Sequence, residues 1–301
     1  MPVYSGKYGN VHYDIGAGLS SVKAIRNWVI NEKSTPFEYA HSKSSAGRGR
    51  SPGIYDFSGS FQAFGTVPVV MPGDFFNFEG FTAAIGAGIV IKTQTNTTVG
   101  HPLENRRGAI VDSVEINWDY QTGGLIGYTV NFSQANAFAL TKATEVQVDS
   151  GTYTPQSVCP TNVAYTSSST ILPNVSTSTL MLNSNNISYV NSSTNCRTAR
   201  EKGILDATIA ISEQNNNPVF VVGTRYQLFL FIDALTYWDL KGVLAIEYTD
   251  FRVNVETGEI IQFTDNFALQ AVNEANGVVD GYIARPGETS VNAWWPVVYN
   301  T

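Results

Sequence analysis

Glu115 and Asp119 stand four residues apart, so on a strand both carboxylates project from one face. Two carboxylates on one face are the raw material of glycoside hydrolysis, one as acid and the other as nucleophile or base. The same spacing is also what a solvated sheet face carries. His12, His41 and His101 are scattered, and no His-x-x-x-His or Cys-x-x-Cys pair occurs, so no metal-ligand spacing is present. Cys159 and Cys196 are the two cysteines; they could form a single bridge or stay as thiols, but they are no disulfide framework. Gly16-Ala17-Gly18 and Gly86-Ala87-Gly88 lack the strand-before, helix-after setting of a dinucleotide loop, and there is no Gly-x-Ser-x-Gly elbow. One charged cluster remains: Lys33, Lys43, Arg48 and Arg50, among Ser, Gly and His. Such a loop can hold phosphate or meet an acidic surface on another copy of the chain. These residue types give an expectation of no catalytic residues, no cofactor and no metal.

Composition narrows the class further. Of 301 residues, 43% are hydrophobic and 12% aromatic, enough for sizeable cores, while only 14% are charged against roughly 25% in an average globular protein. A subunit that buries much of its surface against neighbours needs fewer charges. The net charge of −7 and pI near 5.0 argue against a module held to nucleic acid by phosphate contacts. Residues 1–10 contain no apolar stretch of signal-peptide length, and no run reaches the roughly 18 apolar residues of a membrane-spanning helix. Synthesis and folding in a cytoplasm are therefore expected.

The elements that would position these residues occur twice. Gly53-Ile54-Tyr55-Asp56 matches Gly203-Ile204-Leu205-Asp206 at an offset of 150, and the same register aligns Arg50 with Arg200, Pro68-Val69 with Pro218-Val219 and Gly73 with Gly223. Further on, at an offset of 135, the eleven residues from Thr122 to Phe132 face those from Thr257 to Phe267 with six identities. The spacing predicts a tandem duplication: a first copy over 1–145, a Ser/Thr/Asn-rich linker or insertion over 146–177, a second copy over 178–272 and an apolar C-terminal arm over 273–301. Both copies alternate with period two. Val114, Ile116, Trp118 and Tyr120 interleave with Glu115, Asn117 and Asp119, then a Gln-Thr-Gly-Gly turn leads to Ile126, Tyr128, Val130 and Phe132. That pattern predicts antiparallel hairpins with one apolar and one polar face. A helix is predicted near 232–241 and in the matching stretch after Phe81. The fold class is mainly β.

The first 145 residues resemble the tail tube (major tail) proteins of long-tailed, non-contractile bacteriophages. The resemblance is carried, in order, by Ser5-Gly6-Lys7-Tyr8-Gly9-Asn10-Val11, the segment around Trp28, the loop ending Arg50-Ser51-Pro52-Gly53, Tyr55-Asp56-Phe57-Ser58-Gly59-Ser60, Met71-Pro72-Gly73-Asp74 and the hairpin over 111–132. The second copy departs from it, with Ser178 at the place of Trp28 and Thr208-Ile209-Ala210 at that of Ser58-Gly59-Ser60. The resemblance implies a duplicated β-sandwich or partial barrel with a flanking helix, in a non-enzymatic structural subunit of the virion tail. Three chains would form a pseudo-six-fold ring, and rings would stack into a tube through which DNA passes without specific binding. The implied partners are further copies of the chain, a tape-measure protein, and tail-terminator and tail-tip proteins.

On that reading Ile116, Trp118, Tyr128 and Phe132, with Phe251, Val253 and Phe263, pack against an outer sheet. The polar set Glu115, Asn117, Asp119, Thr129, Asn131, Asp250, Arg252, Asn254 and Glu256 lines the channel, four acids to one base. The basic loop with Lys33, Lys43, Arg48 and Arg50 reaches the next ring. The polar set could instead be an outer solvated face. The alternative from another class is a β-sandwich module of a phage fibre that recognises carbohydrate.

Overall fold

Alternating apolar and polar residues become extended backbone along most of the computed structural model, which describes residues 9–40, 48–81, 88–91, 107–135, 140–142, 157, 162–190, 197–253, 256, 258–273, 277–288 and 293. The first strands are β1 (Asn10–Asp14), β2 (Ser20–Ser21), β3 (Ile25–Tyr39), β4 (Gly49–Phe64), β5 (Phe75–Phe81), β6 (Gly88–Ile91), β7 (Ala109–Asp119), β8 (Gly127–Gln134) and β9 (Leu140–Lys142). They are followed by β10 (Val163–Tyr165), β11 (Val175–Tyr189), β12 (Ala199–Glu213), β13 (Arg225–Phe231), β14 (Tyr237–Arg252), β15 (Gln262–Leu269), β16 (Val272–Asn273), β17 (Val278–Val279) and β18 (Tyr282–Ala284). Sixteen of them belong to one sheet, and β16 and β17 form a small ribbon. The fold is mainly β, as the alternation requires.

Two four-strand units run β3-β4-β8-β7 and β11-β12-β15-β14, all antiparallel. Their registers coincide. Val29 lies opposite Ser60, and Thr179, 150 residues on, lies opposite Ala210. Ser58 lies opposite Ser133, and Thr208 opposite Ala268. The irregularities recur as well: the long hairpins are bulged between Thr35 and Phe37 and between Asn185 and Ile187, and β7 and β14 are bulged at Val111/Ser113 and Ala245/Glu247. A bulge demands close packing on its concave side, and here one glycine in each hairpin meets that demand. A Cβ at Gly53 would overlap the Thr35 carbonyl oxygen, and one at Gly203 the Asn185 carbonyl oxygen. Left-handed backbone recurs at Ala24 (φ 53°) and Asn174 (φ 58°), positions where a side chain costs energy unless it is Asn or Asp.

The inward residues fuse into one apolar cluster across both units. In the first, Phe78 from β5 packs on Phe132 (5.0 Å between ring centroids) and on Phe61 (6.5 Å), so β5 lies over the apolar face of the four-strand unit. In the second, Phe220 sits edge-on to Phe267 at 4.8 Å and to Tyr226 at 5.0 Å. Trp118 and Trp238 are fully buried, and the Trp238 indole N–H donates to the Thr66 carbonyl at 3.1 Å, tying the second unit to a loop of the first.

Two features differ from the sequence expectation, the predicted helices and the linker over 146–177. No helix occurs among the described residues. The stretch 232–241, predicted helical, is a turn followed by the start of β14: the Asp233 carboxylate accepts the Leu235 and Thr236 N–H groups at 2.8 Å, after which Trp238 and Leu240 alternate into the core. Apolar spacing over so short a run fits either period, and the Asx turn decides it. The matching stretch after Phe81 falls mostly outside the described residues. The segment 146–177 contributes β10, whose Val163 pairs with Leu230 of β13, and it also holds the first residues of β11. In the C-terminal arm, β18 adds to β14 through Ile283 opposite Leu240.

Candidate functional site

Glu115, Asn117, Asp119, Thr129 and Asn131 share one face of the sheet. Glu115 lies opposite Thr129, and Ser113 opposite Asn131, while Ile116, Trp118, Tyr128 and Val130 on the other face are buried. Hydrogen bonds along and across the strands tie the polar side chains together. Asn131 donates to Ser113 (2.9 Å), Asn117 to Glu115 (2.8 Å) and Thr179 of the second unit to Asn117 (2.8 Å). Ser212 and Thr264 continue the web at 2.8 Å. Much of this face is therefore neutral hydroxyl and amide, a broader surface than the acid-weighted set read from the sequence.

Glu115 and Asp119 do not act as a pair. Glu115 accepts from Asn117, whereas Asp119 accepts the Thr122 N–H (3.2 Å) and hydroxyl (2.7 Å) and anchors the β7–β8 turn. Those Thr122 bonds hold its carboxyl below the usual range.

At the second hairpin the face breaks down. Asp250 has φ 60° in an irregular stretch of β14 between Thr249 and Arg252, and it pairs with Arg252 at 3.1 Å in solvent. The irregularity rotates the end of the strand, so Phe251 and Val253, expected in the core, are exposed, whereas Phe263 is buried as expected. Glu256 is exposed. Asn254 lies outside the described residues, as do Lys43, His41, His101, Cys159 and Cys196. His12 is buried with its ring 5.3 Å from that of Phe81, a packing position.

The basic hairpin is largely neutralised where it stands. Arg48 and Arg50 both reach Glu38, at 2.9 and 3.0 Å, and Lys33 is 3.6 Å from Asp56.

Two arrangements were not visible in the sequence. The first is the seam between the units. Strand β11 pairs with β7 over seven residues, from Thr177 opposite Asp119 to Asn183 opposite Ser113. Beyond it, the β11–β12 hairpin bends across the first unit. There Arg200 grips Asp56 with both terminal nitrogens (2.8 and 2.9 Å) and also donates to the Gln134 carbonyl at 2.9 Å. Backbone bonds from Thr198 N–H to the Tyr55 carbonyl (2.9 Å) and from Arg200 N–H to the Ala135 carbonyl (3.0 Å) close the contact. Asn186 adds bonds to the Val111 carbonyl and, at 2.8 Å, to Asp112. The second is a buried carboxyl pair, Glu213 and Asp265, both turned into the core. Among the described residues neither oxygen of Glu213 has a hydrogen-bond partner of good geometry. Burial, reinforced by the neighbouring carboxyl, pushes Glu213 well above the usual range, and burial raises Asp265 too.

Outside the seam, two long strand edges lack a strand partner among the described residues. Among the described residues β3 pairs only with β4, and its other edge exposes Val29, Phe37 and Tyr39. On β14, residues 247–252 have β15 on one side and, among the described residues, no strand on the other, and Ile246, Tyr248 and Phe251 are exposed nearby. These edges correspond in place to β11 and β7, the two strands that form the seam. A pocket of about 210 Å³ lined by Arg225, Gln227, Lys241 and Asp280 is smaller than the roughly 300 Å³ at which small-molecule sites begin, and the Arg225–Asp280 ion pair at 2.8 Å spans part of it. No family model and no curated protein matches the chain, and its function is read from the faces, seam and edges just described.

Proposed function

We propose that the chain is a non-enzymatic structural subunit of a phage tail tube, in which one β domain is present as a tandem duplication. Three chains close a pseudo-six-fold ring, and rings stack into a hollow conduit for DNA. The observation that carries this reading is the seam. One unit joins the other edge to edge through β7 and β11, and the outer ends of the chain offer the counterparts of those strands, β14 and β3, unfilled. A strand edge left open and apolar invites another chain. A joint of this head-to-tail kind generates a ring when the rotation closes. Coincident registers, bulges and left-handed positions support the duplication.

In the ring the hydroxyl- and amide-rich face, with Glu115, Asn117, Asp119, Thr129 and Asn131, lines the lumen. Such a surface offers a passing phosphate backbone few cations to hold it, in keeping with the chain's net charge of −7. The partners in this reading are other copies of the chain, a tape-measure protein in the lumen, and terminator and tip proteins at the tube ends, with the virion tail as the location.

Electron microscopy of the concentrated protein, with averages viewed end-on, tests the proposal. Hollow rings or tubes with three-fold symmetry and six lobes are expected. Monodisperse monomers at every concentration, with and without a tape-measure protein present, would remove it and favour a fibre module that binds carbohydrate.

A further inference from the structure

Arg200 and Asp56 meet across the seam, and the 150-residue register gives each a counterpart: Arg50 and Asp206. These counterparts do not meet within the chain. Among the described residues Arg50 is held by the exposed carboxylate of Glu38 alone. Asp206 is exposed on β12, where its oxygen accepts just the neighbouring Ala207 N–H at 2.8 Å. Among the described residues Asp206 has no cationic partner. Asp56, at the equivalent point of β4, is only 7% exposed, with Arg200 and Lys33 against its carboxylate.

We propose that Arg50 of one chain clamps Asp206 of the neighbouring chain, repeating between chains the hold of Arg200 on Asp56 within one. The inference rests on the ring reading above and assigns the joint a definite register. The surroundings of the clamp are present on both sides. Arg50 precedes Gly53 by three residues, as Arg200 precedes Gly203, and both hairpins bend at the same bulge, so Arg50 is carried on an arm of the same shape. The Gln134 and Ala135 carbonyls that receive Arg200 lie at the end of β8; the Leu269 and Gln270 carbonyls occupy the same place at the end of β15, where Gln270 already accepts Arg225 at 2.9 Å and a second lone pair remains for the partner. Arg48, the counterpart of Thr198, brings its N–H to the Leu205 carbonyl, as Thr198 does to Tyr55.

Carrying the seam register over places Lys33 opposite Glu247, from Asn183 opposite Ser113, and Glu32 opposite Tyr248, from Leu182 opposite Val114. The Lys33–Glu247 pairing joins opposite charges, which favours this alignment over a shifted one. Where the seam uses Asn186 against Asp112, the counterparts are Pro36 and Ile246, so a polar contact becomes an apolar one. The Arg50–Glu38 pair that must yield is solvent-exposed and contributes little. Arg50 thus serves contacts around the ring, in contrast to the contact with the next ring expected from the sequence.

A charge exchange tests this. Purified wild type, Arg50→Asp, Asp206→Arg and the double variant are compared for ring and tube formation by sedimentation and microscopy, with circular dichroism and thermal melts as the check on folding. Each single variant is expected to remain folded and to raise the concentration needed for assembly by roughly tenfold or more, the effect of losing about 1.4 kcal/mol at a charged interfacial contact. The double variant is expected to recover most of that loss. Single variants that assemble like wild type, or a double variant no better than either single one, would overturn the clamp while leaving the ring intact. Absence of any ring from wild type would remove the clamp and the ring reading together. If one single variant fails to fold, recovery in the double still decides the matter, because restored assembly requires the two new charges to face each other.

Discussion

Arg200 closes a bidentate ion pair on Asp56, 144 residues away in sequence, with nitrogen–oxygen distances of 2.8 and 2.9 Å. Both side chains are largely buried, at 16% and 10% exposure. Removing one partner of such a pair leaves an uncompensated charge. Arg200→Ala is expected to lower unfolding stability by on the order of 3 kcal/mol, read as a fall in the urea midpoint. Arg48→Ala, which removes an arginine 75% exposed and bound only to Glu38, should stay within about 0.5 kcal/mol of wild type. Equal effects from the two changes would mean that the seam is no more than a surface contact.

The Glu213–Asp265 pair predicts a pH dependence. Both carboxyls are raised in the folded chain, Glu213 to about 8 by burial and the neighbouring Asp265, so the fold holds their protons more tightly than the unfolded chain does. Their penalty is absent below the ordinary carboxylate range and grows as pH rises toward the folded value. Glu213→Gln should therefore flatten the decline in stability between pH 5 and pH 9, its advantage over wild type widening with pH. Parallel stability curves for the two proteins would count against a buried, proton-holding pair. The equivalent positions of the first unit are Ala63 and Val130, so Glu213→Ala with Asp265→Val should stabilise the second unit at neutral pH.

Ala24 adopts φ 53°, and Asn174 adopts nearly the same conformation in the second unit. An alanine there bears the left-handed strain without the local hydrogen bonding available to Asn. Ala24→Gly is expected to raise stability by about 0.5–1 kcal/mol, the relief of strain exceeding the added freedom of the unfolded chain. A lower melting temperature would show that the turn is not strained.

Gly203 leaves no room for a side chain beside the Asn185 carbonyl. Gly203→Ala should force the β11–β12 hairpin open and cost about 2 kcal/mol. Because the hairpin carries Arg200, the loss should shrink in an Arg200→Ala background, and a thermodynamic cycle measures that coupling.

The sequence made β7 and β8 readable because Ile116, Trp118, Tyr128 and Val130 keep strict alternation on a half-buried sheet. It hid the start of β11 and the pairing of that strand with β7, which holds the units together. Ser176, Ser178 and Ser184 are buried on its inner face, so polar residues occupy core positions and residues 175–177 read as linker. The Ser176 hydroxyl is satisfied by the Ser212 carbonyl at 3.0 Å, and no one-dimensional pattern reports such a partner. Arg50 and Arg200 aligned in sequence, as did Asp56 and Asp206, yet the ion pair joins a member of one set to a member of the other. Alignment of like with like cannot reveal a contact between unlike positions. The end of β14 was misread for a local reason, since the backbone turn at Asp250 breaks the period on which Phe251 and Val253 were placed inward.

The β7–β11 seam has a kinetic meaning. Its two strands belong to one polypeptide, so their meeting is unimolecular and independent of protein concentration, whereas a joint between chains must overcome lost translational and rotational freedom. The side chains differ in the matching sense. On its solvent face the seam is fastened by hydroxyl and amide contacts such as Thr179 to Asn117, and on its inner face by Leu180 against Ile116 and Leu182 against Val114, while the outer edges leave Val29, Phe37, Ile246, Tyr248 and Phe251 in solvent. In the proposed ring, exposed apolar side chains stand where the partner has to be found by diffusion, and the tethered junction keeps its own inside.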